Sequence, residues 1–284
     1  MPGTLYLVAT PIGNLEDITL RALRILREAD LVACEDTRQT RKLLDHYGIH
    51  KATVSYHEHN EAVRATELIE KLESGSSVAL VSDAGTPLVS DPGYRLVSQA
   101  IAKGIRVEPA PGPSAALAAL AASGLPTDEF HFGGFLPARS SQRKKALARF
   151  KDEAATLVFY EAPHRVMETL ADIEEVLGPR AVVLARELTK VHEEFLRGTA
   201  AELRCARITL KGEFTLLVGK AERQAAEDAP PVPEAVEACV RAGMSRMDAM
   251  KAVARERGLS KRDVYREVED AVHGAPGRYT DSTS

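Results

Sequence analysis

Up to residue 110 the chain alternates between short apolar runs and longer amphipathic stretches. Leu5 to Ala9, Leu31 to Cys34, Thr53 to His57, Val78 to Val81 and Arg106 to Pro109 each read as a strand closed by turn-forming residues. Between them apolar positions recur at helical spacing. Ile18, Ala22, Ile25 and Ala29 trace one stripe, with Asp17 or Thr19 available as its cap, and further helices are predicted up to Gly48, over 60–74 and over 93–103. Parallel neighbours need a crossover, so this alternation predicts a mostly parallel sheet covered on both faces.

An alanine-rich helix follows, capped by Ser114, stopped by Gly124 and entered through Pro111-Gly112-Pro113. Leu125-Pro126-Thr127 marks a boundary. Beyond it the pattern predicts strands over Phe130 to Phe135, Thr156 to Tyr160, Ala181 to Ala185, Glu193 to Arg197 and Glu213 to Val218, with helices over Ser140 to Lys151 and Arg165 to Leu177. These make a second, mixed sheet. The expected organisation is an α/β domain over 1–124, a second over 125–222, a linker over 223–233, a small helical domain over 234–273 and a disordered tail over 274–284. In the helical domain two helices flank Gly258. Met247, Met250, Ala254, Leu259, Val264 and Val268 supply its buried stripe, and Ser260 caps the second helix. The spacing fits a helix-turn-helix that presents Lys261, Arg262 and Arg266 outward.

With 284 residues and 44% hydrophobic side chains, the chain can build ordinary cores. Its longest apolar run, about 115–122, falls far short of the ~20 residues that span a bilayer, and no charged-then-apolar segment opens the chain, so a cytoplasmic location is expected. Cys34, Cys205 and Cys239 stand singly, which argues against a disulfide framework and a zinc site. His57 and His59 lack a third ligand, and His192-Glu193 lacks the second histidine of the zinc-protease motif. Neither GxxxxGK[ST] nor GxGxxG occurs. The net charge is -4, so any nucleic-acid contact must rest on local patches. Residues 139–151 hold six basic and no acidic side chains, and 241–266 hold eight basic against three acidic.

Three loops carry the candidate chemistry: Thr10 to Asn14, Ser82 to Gly93 with Asp83, Thr86 and Asp91, and the Pro-Gly-Pro entry to Ser114. In α/β proteins the carboxyl ends of parallel strands open onto the ligand crevice, and a helix start offers unsatisfied N–H groups.

Five segments, ATPIGNLEDITLRAL, CEDTRQTRKLL, VSDAGTPLVSDPG, APGPSAALAAL and FYEAPHR, in this order and spacing, resemble the 16S ribosomal RNA cytidine 2'-O-methyltransferases of the tetrapyrrole methylase superfamily, across about residues 4–220. The resemblance implies two α/β domains of the tetrapyrrole methylase type with S-adenosyl-L-methionine folded into the cleft between them. It also implies a homodimer acting on 16S rRNA of the 30S ribosomal subunit, and the carboxy-terminal helices resemble the family's small extra domain. Carried over position by position, the cofactor contacts fall on Pro11, Ile12 and Gly13, on Ser82, Asp83, Ala84, Thr86 and Pro87, and on Ser114 and Ala115. In the second domain they fall on Tyr160, Glu161, Phe214 and Thr215. Ser82 and Ala84 depart from the Gly and Pro of the superfamily's ligand loop.

Methyl transfer from a sulfonium chiefly requires alignment, but a ribose hydroxyl also needs a proton acceptor. Glu35, Asp36, Glu58, Glu161 and Glu187 are the candidates. Arg38, Arg41, Lys42, Arg143, Lys144, Lys145 and Arg165 are the candidate contacts to RNA phosphates. Two alternatives stand beside this reading: a tetrapyrrole or diphthine-type methyltransferase, and a nucleic-acid-binding regulator whose α/β body senses a small ligand. The basic runs and appended helices favour RNA.

Overall fold

The computed structural model describes residues 2–221, 230–257 and 259–273, and the chain divides into two compact units after Ala221. In the first unit, β1 (Thr4–Val8), β2 (Leu31–Cys34), β3 (Thr53–Ser55), β4 (Val78–Leu80) and β5 (Arg106–Ala110) form a sheet in the order β3-β2-β4-β1-β5. Every neighbouring pair is parallel. Helices α1 (Leu20–Glu28), α2 (Thr37–His46), α3 (Glu61–Glu73) and α4 (Tyr94–Ala102) accompany the crossovers. Side chains alternate between two cores as the strand period of two requires: Val32, Cys34, Ala79 and Val81 face one, Leu5, Ala33, Val78 and Leu80 the other. Strand β3 ends two residues early because the His57 amide is taken by the Asn60 side chain at 2.9 Å instead of a neighbouring strand.

The strand order has one consequence for the site. β4, β1 and β5 are adjacent although far apart along the chain, and Leu7 lies opposite both Leu80 and Pro109. The loops leaving these strands therefore start from neighbouring points on one sheet edge.

Helix α5 (Ala115–Ser123) joins this lobe to the next. Ser114 caps its first turn and Gly124 ends it in the left-handed region at φ +82°. Its alanines permit close approach: Ala116, Ala119 and Leu120 pack with Val158, Val183 and Leu217 of the second sheet. Arg197 closes the other end, donating to the carbonyls of Ser123 and Ala122 at 2.9 and 2.7 Å, where a cation meets the negative end of the helix dipole.

The second sheet contains β6 (Phe130–Phe135), β7 (Thr156–Glu161), β8 (Ala181–Arg186), β9 (Glu194–Thr199) and β10 (Phe214–Val218), ordered β6-β7-β10-β8-β9. Only β6 and β7 run parallel, so the sheet is mixed as predicted. Helices α6 (Ser140–Ala148), α7 (Val166–Leu177) and α8 (Ala200–Cys205) belong to the core on its far face. The last is too short for periodicity to reveal. Its start was nonetheless written in Thr199-x-x-Glu202, which forms a reciprocal capping box.

Two of the arginines assigned to phosphate contact require correction. Arg143 is wholly buried between α6 and α7, its Nε 2.6 Å from Asp172 and its Nη1 donating to the Ala138 carbonyl at 3.1 Å. Arg165 turns inward to the carbonyls of Leu136 and Pro137 and pairs with Glu161 at 3.2 Å. Both guanidiniums are committed to interior carboxylates that would be costly to leave unpaired. Lys144 is half-buried and paired with Glu175 at 2.6 Å, whereas Arg139, Lys145 and Arg149 remain exposed.

The second unit holds three helices, α9 (Val232–Arg241), α10 (Arg246–Arg257) and α11 (Lys261–His273). Helix α9 begins inside the stretch expected to be linker, because Val232 and Val236 bury an apolar stripe despite the flanking prolines. Packing against α9 also resets the phase of α10: Ala249 and Val253 join Met250 and Ala254 inside, while Met247 is 61% exposed and Leu259 36%. The expected linker residues 223–229, the expected tail 274–284 and Gly258 lie outside the described residues. Among the described residues no helix is long and apolar enough to cross a membrane.

Removing one partner of a buried ion pair typically costs about 3–5 kcal/mol. Arg143→Met should lose stability on that scale in urea unfolding, whereas Lys145→Glu, on the surface, should stay within about 0.5 kcal/mol of the parent. An Arg143→Met protein as stable as the parent would show that this pair does not hold α6 to α7.

Candidate active site

The loops after β1, β4 and β5 are stitched into one wall by their own backbones. Thr10 and Gly85 exchange two main-chain hydrogen bonds of 2.9 and 3.0 Å. The Thr10 hydroxyl donates to the Ser82 carbonyl at 3.2 Å, and the Thr86 hydroxyl donates to the Pro113 carbonyl at the same distance. Gly112 is dictated by this closeness, since a Cβ there would lie 2.9 Å from that of Ala9. The first loop also reaches the second lobe. The Asn14 amide donates to Thr189 Oγ1 at 3.0 Å, and a Cβ on Gly13 would fall 2.5 Å from Lys190 Cγ.

Between this wall and the ends of β7 and β10 lies a cleft of about 410 Å³, within the range of small-molecule sites. Of the residues nominated from sequence, Ile12, Asp83, Ala84, Thr86, Ser114 and Ala115 line one side and Tyr160, Glu161, Phe214 and Thr215 the other. Pro11, Gly13, Ser82 and Pro87 do not line it. Pro11 and Pro87 are buried behind the wall, Gly13 packs on the second lobe, and the Ser82 hydroxyl turns to the carbonyls of Ala84 and Gly85. Phe135 stands at the cleft, 57% exposed and edge-on to Tyr160 with ring centroids 5.6 Å apart. Burial, opposed by the Ala116 backbone, holds the Tyr160 hydroxyl above its ordinary range.

The ionisable groups lining the cleft are Tyr160 and four carboxylates, Asp83, Asp91, Glu161 and Glu213, and no lysine or arginine is among the lining residues. Two are neutralised from behind. Glu161 accepts from Thr169 at 2.6 Å and from the Ala162 amide at 2.8 Å and pairs with Arg165, while Glu213 pairs with Lys190 at 3.0 Å. Asp83 accepts only the Asp36 amide, at 3.0 Å, among the hydrogen bonds of the described residues. Burial, then the charges of Glu35 and Asp83, push Asp91 up to about 6, with the nearby Ser82 side chain opposing. Glu35 is raised for similar reasons, burial first and Asp83 next, with His57 opposing. The cleft is therefore an electronegative basin that the fold leaves partly uncompensated.

The proton-acceptor candidates separate clearly in this geometry. Asp36 caps α2 and clamps the amide and guanidinium of Arg38, whose hydrogen bonds bring it down to about 2. Glu187, at φ +50°, accepts from Lys190 at 2.8 Å and from the Glu213 amide at 3.1 Å, and the lysine bond holds its carboxyl below the ordinary range. Glu58 is exposed after β3 and Glu35 is close enough to Asp83 and Asp91 to feel their charge; neither lines the cleft. Glu161 lines it, but both oxygens are engaged. Sequence reasoning passed over Asp91 as a proton acceptor, although Ser-Asp-x-Gly occurs twice, at 82–85 and 90–93, and both aspartates reach the cleft. Gly85, Val89, Phe135, Leu188 and Gly212 were also missed. Arg38, Arg41 and Lys42 are exposed along α2, which starts at the same sheet edge. Among the described residues no cluster of His, Cys, Asp and Glu is placed to hold a metal ion.

Asp91 makes the protein's stability depend on pH. Its carboxyl titrates near 3.8 when unperturbed and near 6 in the fold, so the stability linked to its proton is present below pH 3.8 and lost as pH rises through about 6. Solvent screening of a half-buried group limits the effect to about 1 kcal/mol. Asp91→Asn should therefore raise Tm at pH 8 by about 2–4 °C and lose that advantage near pH 4, measured by calorimetric scans. Equal melting at pH 8 would contradict this assignment of charge.

The family model for tetrapyrrole (corrin/porphyrin) methylases matches residues 4–204. A relative from Halalkalibacterium halodurans, named ribosomal RNA small subunit methyltransferase I, is 54% identical over 271 residues, covering 93% of each chain. One of the same name from Mesorhizobium japonicum is 52% identical and covers 93% of this chain and 90% of its own. Among solved structures, uroporphyrin-III-C-methyltransferase from Thermus thermophilus superposes with a TM-score of 0.56 at 25% identity, over 77% of this chain and 95% of its own. A structure of the Thermus thermophilus enzyme complexed with S-adenyl homocysteine gives 0.54 at 21%, over 77% and 98%. The chain belongs to the tetrapyrrole methylase family, in the branch whose members carry the name ribosomal RNA small subunit methyltransferase I.

Proposed function

We propose that the cleft binds S-adenosylmethionine and that the protein transfers its methyl group to the 2'-oxygen of a cytidine ribose in 16S rRNA of the small ribosomal subunit. The observation that carries this reading is the acidic, cation-free lining where three loops of a parallel sheet face the ends of β7 and β10. A positively charged ligand of a few hundred Å³ is the complement of such a site.

The residues present fit that donor. Asp83 and Asp91 offer negative charge without a competing lysine or arginine, Ile12, Ala84 and Ala115 leave small apolar contacts, and Ser114, Tyr160 and Thr215 supply hydroxyls. Bound there, S-adenosylmethionine supplies an electrophilic methyl carbon on a cationic sulfur. The wall itself is rigid, because its loops are bonded to one another, so its dipoles and charges stay in place during transfer. No lining residue is placed to neutralise a phosphodiester. The ribose to be modified should thus enter the cleft while the neighbouring phosphates remain on exposed cations such as Arg41, Lys42 and Lys145.

Ribosomal RNA as the substrate class is supported by the names of relatives that are 54% and 52% identical over nearly the whole chain. The same reading has the protein act in the cytoplasm as a homodimer. Tyr94 and Ile101, 80% and 63% exposed and one heptad apart on α4, give a second copy an apolar surface to cover.

Purified protein incubated with methyl-labelled donor and 30S subunits should place label on one cytidine 2'-oxygen, located by mass spectrometry of nuclease digests. Absence of donor binding by calorimetry, or label on protein in place of rRNA, would overturn the reading. Joint reversal of Arg41, Lys42 and Lys145 to Glu should weaken RNA binding and flatten its dependence on log salt by about 0.7–0.9 per lost phosphate contact. An unchanged slope would remove this surface from the account.

A further inference from the structure

Transfer to a ribose hydroxyl requires a group that takes its proton as the new bond forms. Four carboxylates stand on the cleft wall, and the fold has already committed two of them: Glu161 to Thr169, Ala162 and Arg165, and Glu213 to Lys190. Asp83 has one oxygen taken by the Asp36 amide at 3.0 Å. Asp91 differs. It lines the cleft, and among the described residues no lysine or arginine forms an ion pair with it.

The segment that carries Asp91 is held in an unusual backbone shape. Leu88 and Ser90 lie in the left-handed region at φ 70° and 68°, and Gly93 at φ 146° leaves no room for a side chain, since a Cβ would meet Leu88 Cγ at 2.9 Å. Strained residues of this kind persist where the surroundings over-determine them, and here the result is a carboxylate set into the cleft. It faces Glu35 from the end of β2, Asp83 from its own loop and Tyr160 from β7, whose hydroxyl it makes harder to ionise; His57 acts on Glu35 from the end of β3.

We propose that Asp91 is the proton acceptor for the attacking ribose hydroxyl. This rests on the reading of the cleft as the site of methyl transfer. As the ribose oxygen bonds the methyl carbon, its O–H proton passes to an Asp91 carboxylate oxygen, and the electron pair of the breaking carbon–sulfur bond stays on sulfur. The like charges of Glu35 and Asp83 raise the basicity of Asp91 in the empty cleft. A cationic donor seated beside it drives off any proton it holds, so the carboxylate is free when the ribose arrives.

The test compares the parent with Asp91→Asn and Asp91→Glu in single-turnover methylation of 30S subunits at saturating donor, together with calorimetry of donor binding in two buffers of different ionisation enthalpy. Asp91→Asn should bind the donor with a Kd within about tenfold of the parent yet transfer on the order of 100-fold or more slowly, with Asp91→Glu partly restored. At saturating donor the parent's rate should fall as pH is lowered, with a midpoint displaced below the value of about 6 that Asp91 has in the empty cleft, and that of Asp91→Asn should be flat. At pH 6 the parent should release protons on binding S-adenosylmethionine and fewer on binding the uncharged-sulfur product, and Asp91→Asn should show no such difference. An Asn variant with the parent's rate or pH profile, or one that fails to bind donor although folded, would overturn the assignment. A parent protein that neither binds donor nor transfers methyl would remove the reading of the cleft, and this assignment with it.

Discussion

Two main-chain hydrogen bonds between Thr10 and Gly85, together with the strand order that permits them, are what the rest of the site depends on. Thr10 and its side-chain partner Ser82 lie 72 residues apart in sequence, and only the position of β1 between β4 and β5 brings their loops to one edge. Once there, the loops bond to one another through Thr10, Gly85, Thr86 and Pro113. Gly112 follows from that closeness, since a Cβ there would strike Ala9, and Gly13 follows from the approach of residues 188–190 of the second lobe. The second lobe then completes the cleft through α5, whose alanines let two sheets approach as near as backbone and methyl groups allow.

The charge of the cleft sets function against stability. A fold selected only for stability would pair or neutralise Asp83, Asp91 and Glu35, as it does Glu161 and Glu213 in the same cleft and Glu187 and Asp172 outside its lining. Instead like charges gather around one half-buried carboxyl, on a loop with two non-glycine residues in the left-handed region. Such local costs are sustained where binding or chemistry requires them, and a cationic ligand offsets them at the moment it enters.

How much of this was legible beforehand depends on which force sets each feature. Strands β2 and β6 and helix α5 were read with their boundaries because apolar runs, caps and glycine stops are local signals. Ten cleft-lining residues were nominated through the likeness of five segments to a known family; of the remaining four, Pro11, Ser82 and Pro87 are buried beside the cleft and Gly13 packs on the second lobe. Helix α8 escaped periodicity, and α9 was hidden by prolines at its start that a first helical turn tolerates. Charge was the least legible property. Arg143 and Lys145 are neighbours in one basic run, yet one sits wholly inside against Asp172 and the other in water, a difference that depends on where α7 lies. Asp36 and Asp91 likewise look alike in sequence. One is a helix cap drawn down by Arg38, and the other is pushed up by burial and like charge.

Hydrogen exchange with and without S-adenosylmethionine tests the central claim most directly, because it reads every loop at once. The account predicts new protection confined to 10–14, 82–93 and 112–117 on one lobe and to 160–163 and 212–215 on the other, with the carboxy-terminal helices unchanged. Protection absent from these segments, or found on one lobe only, would contradict a donor held between the two.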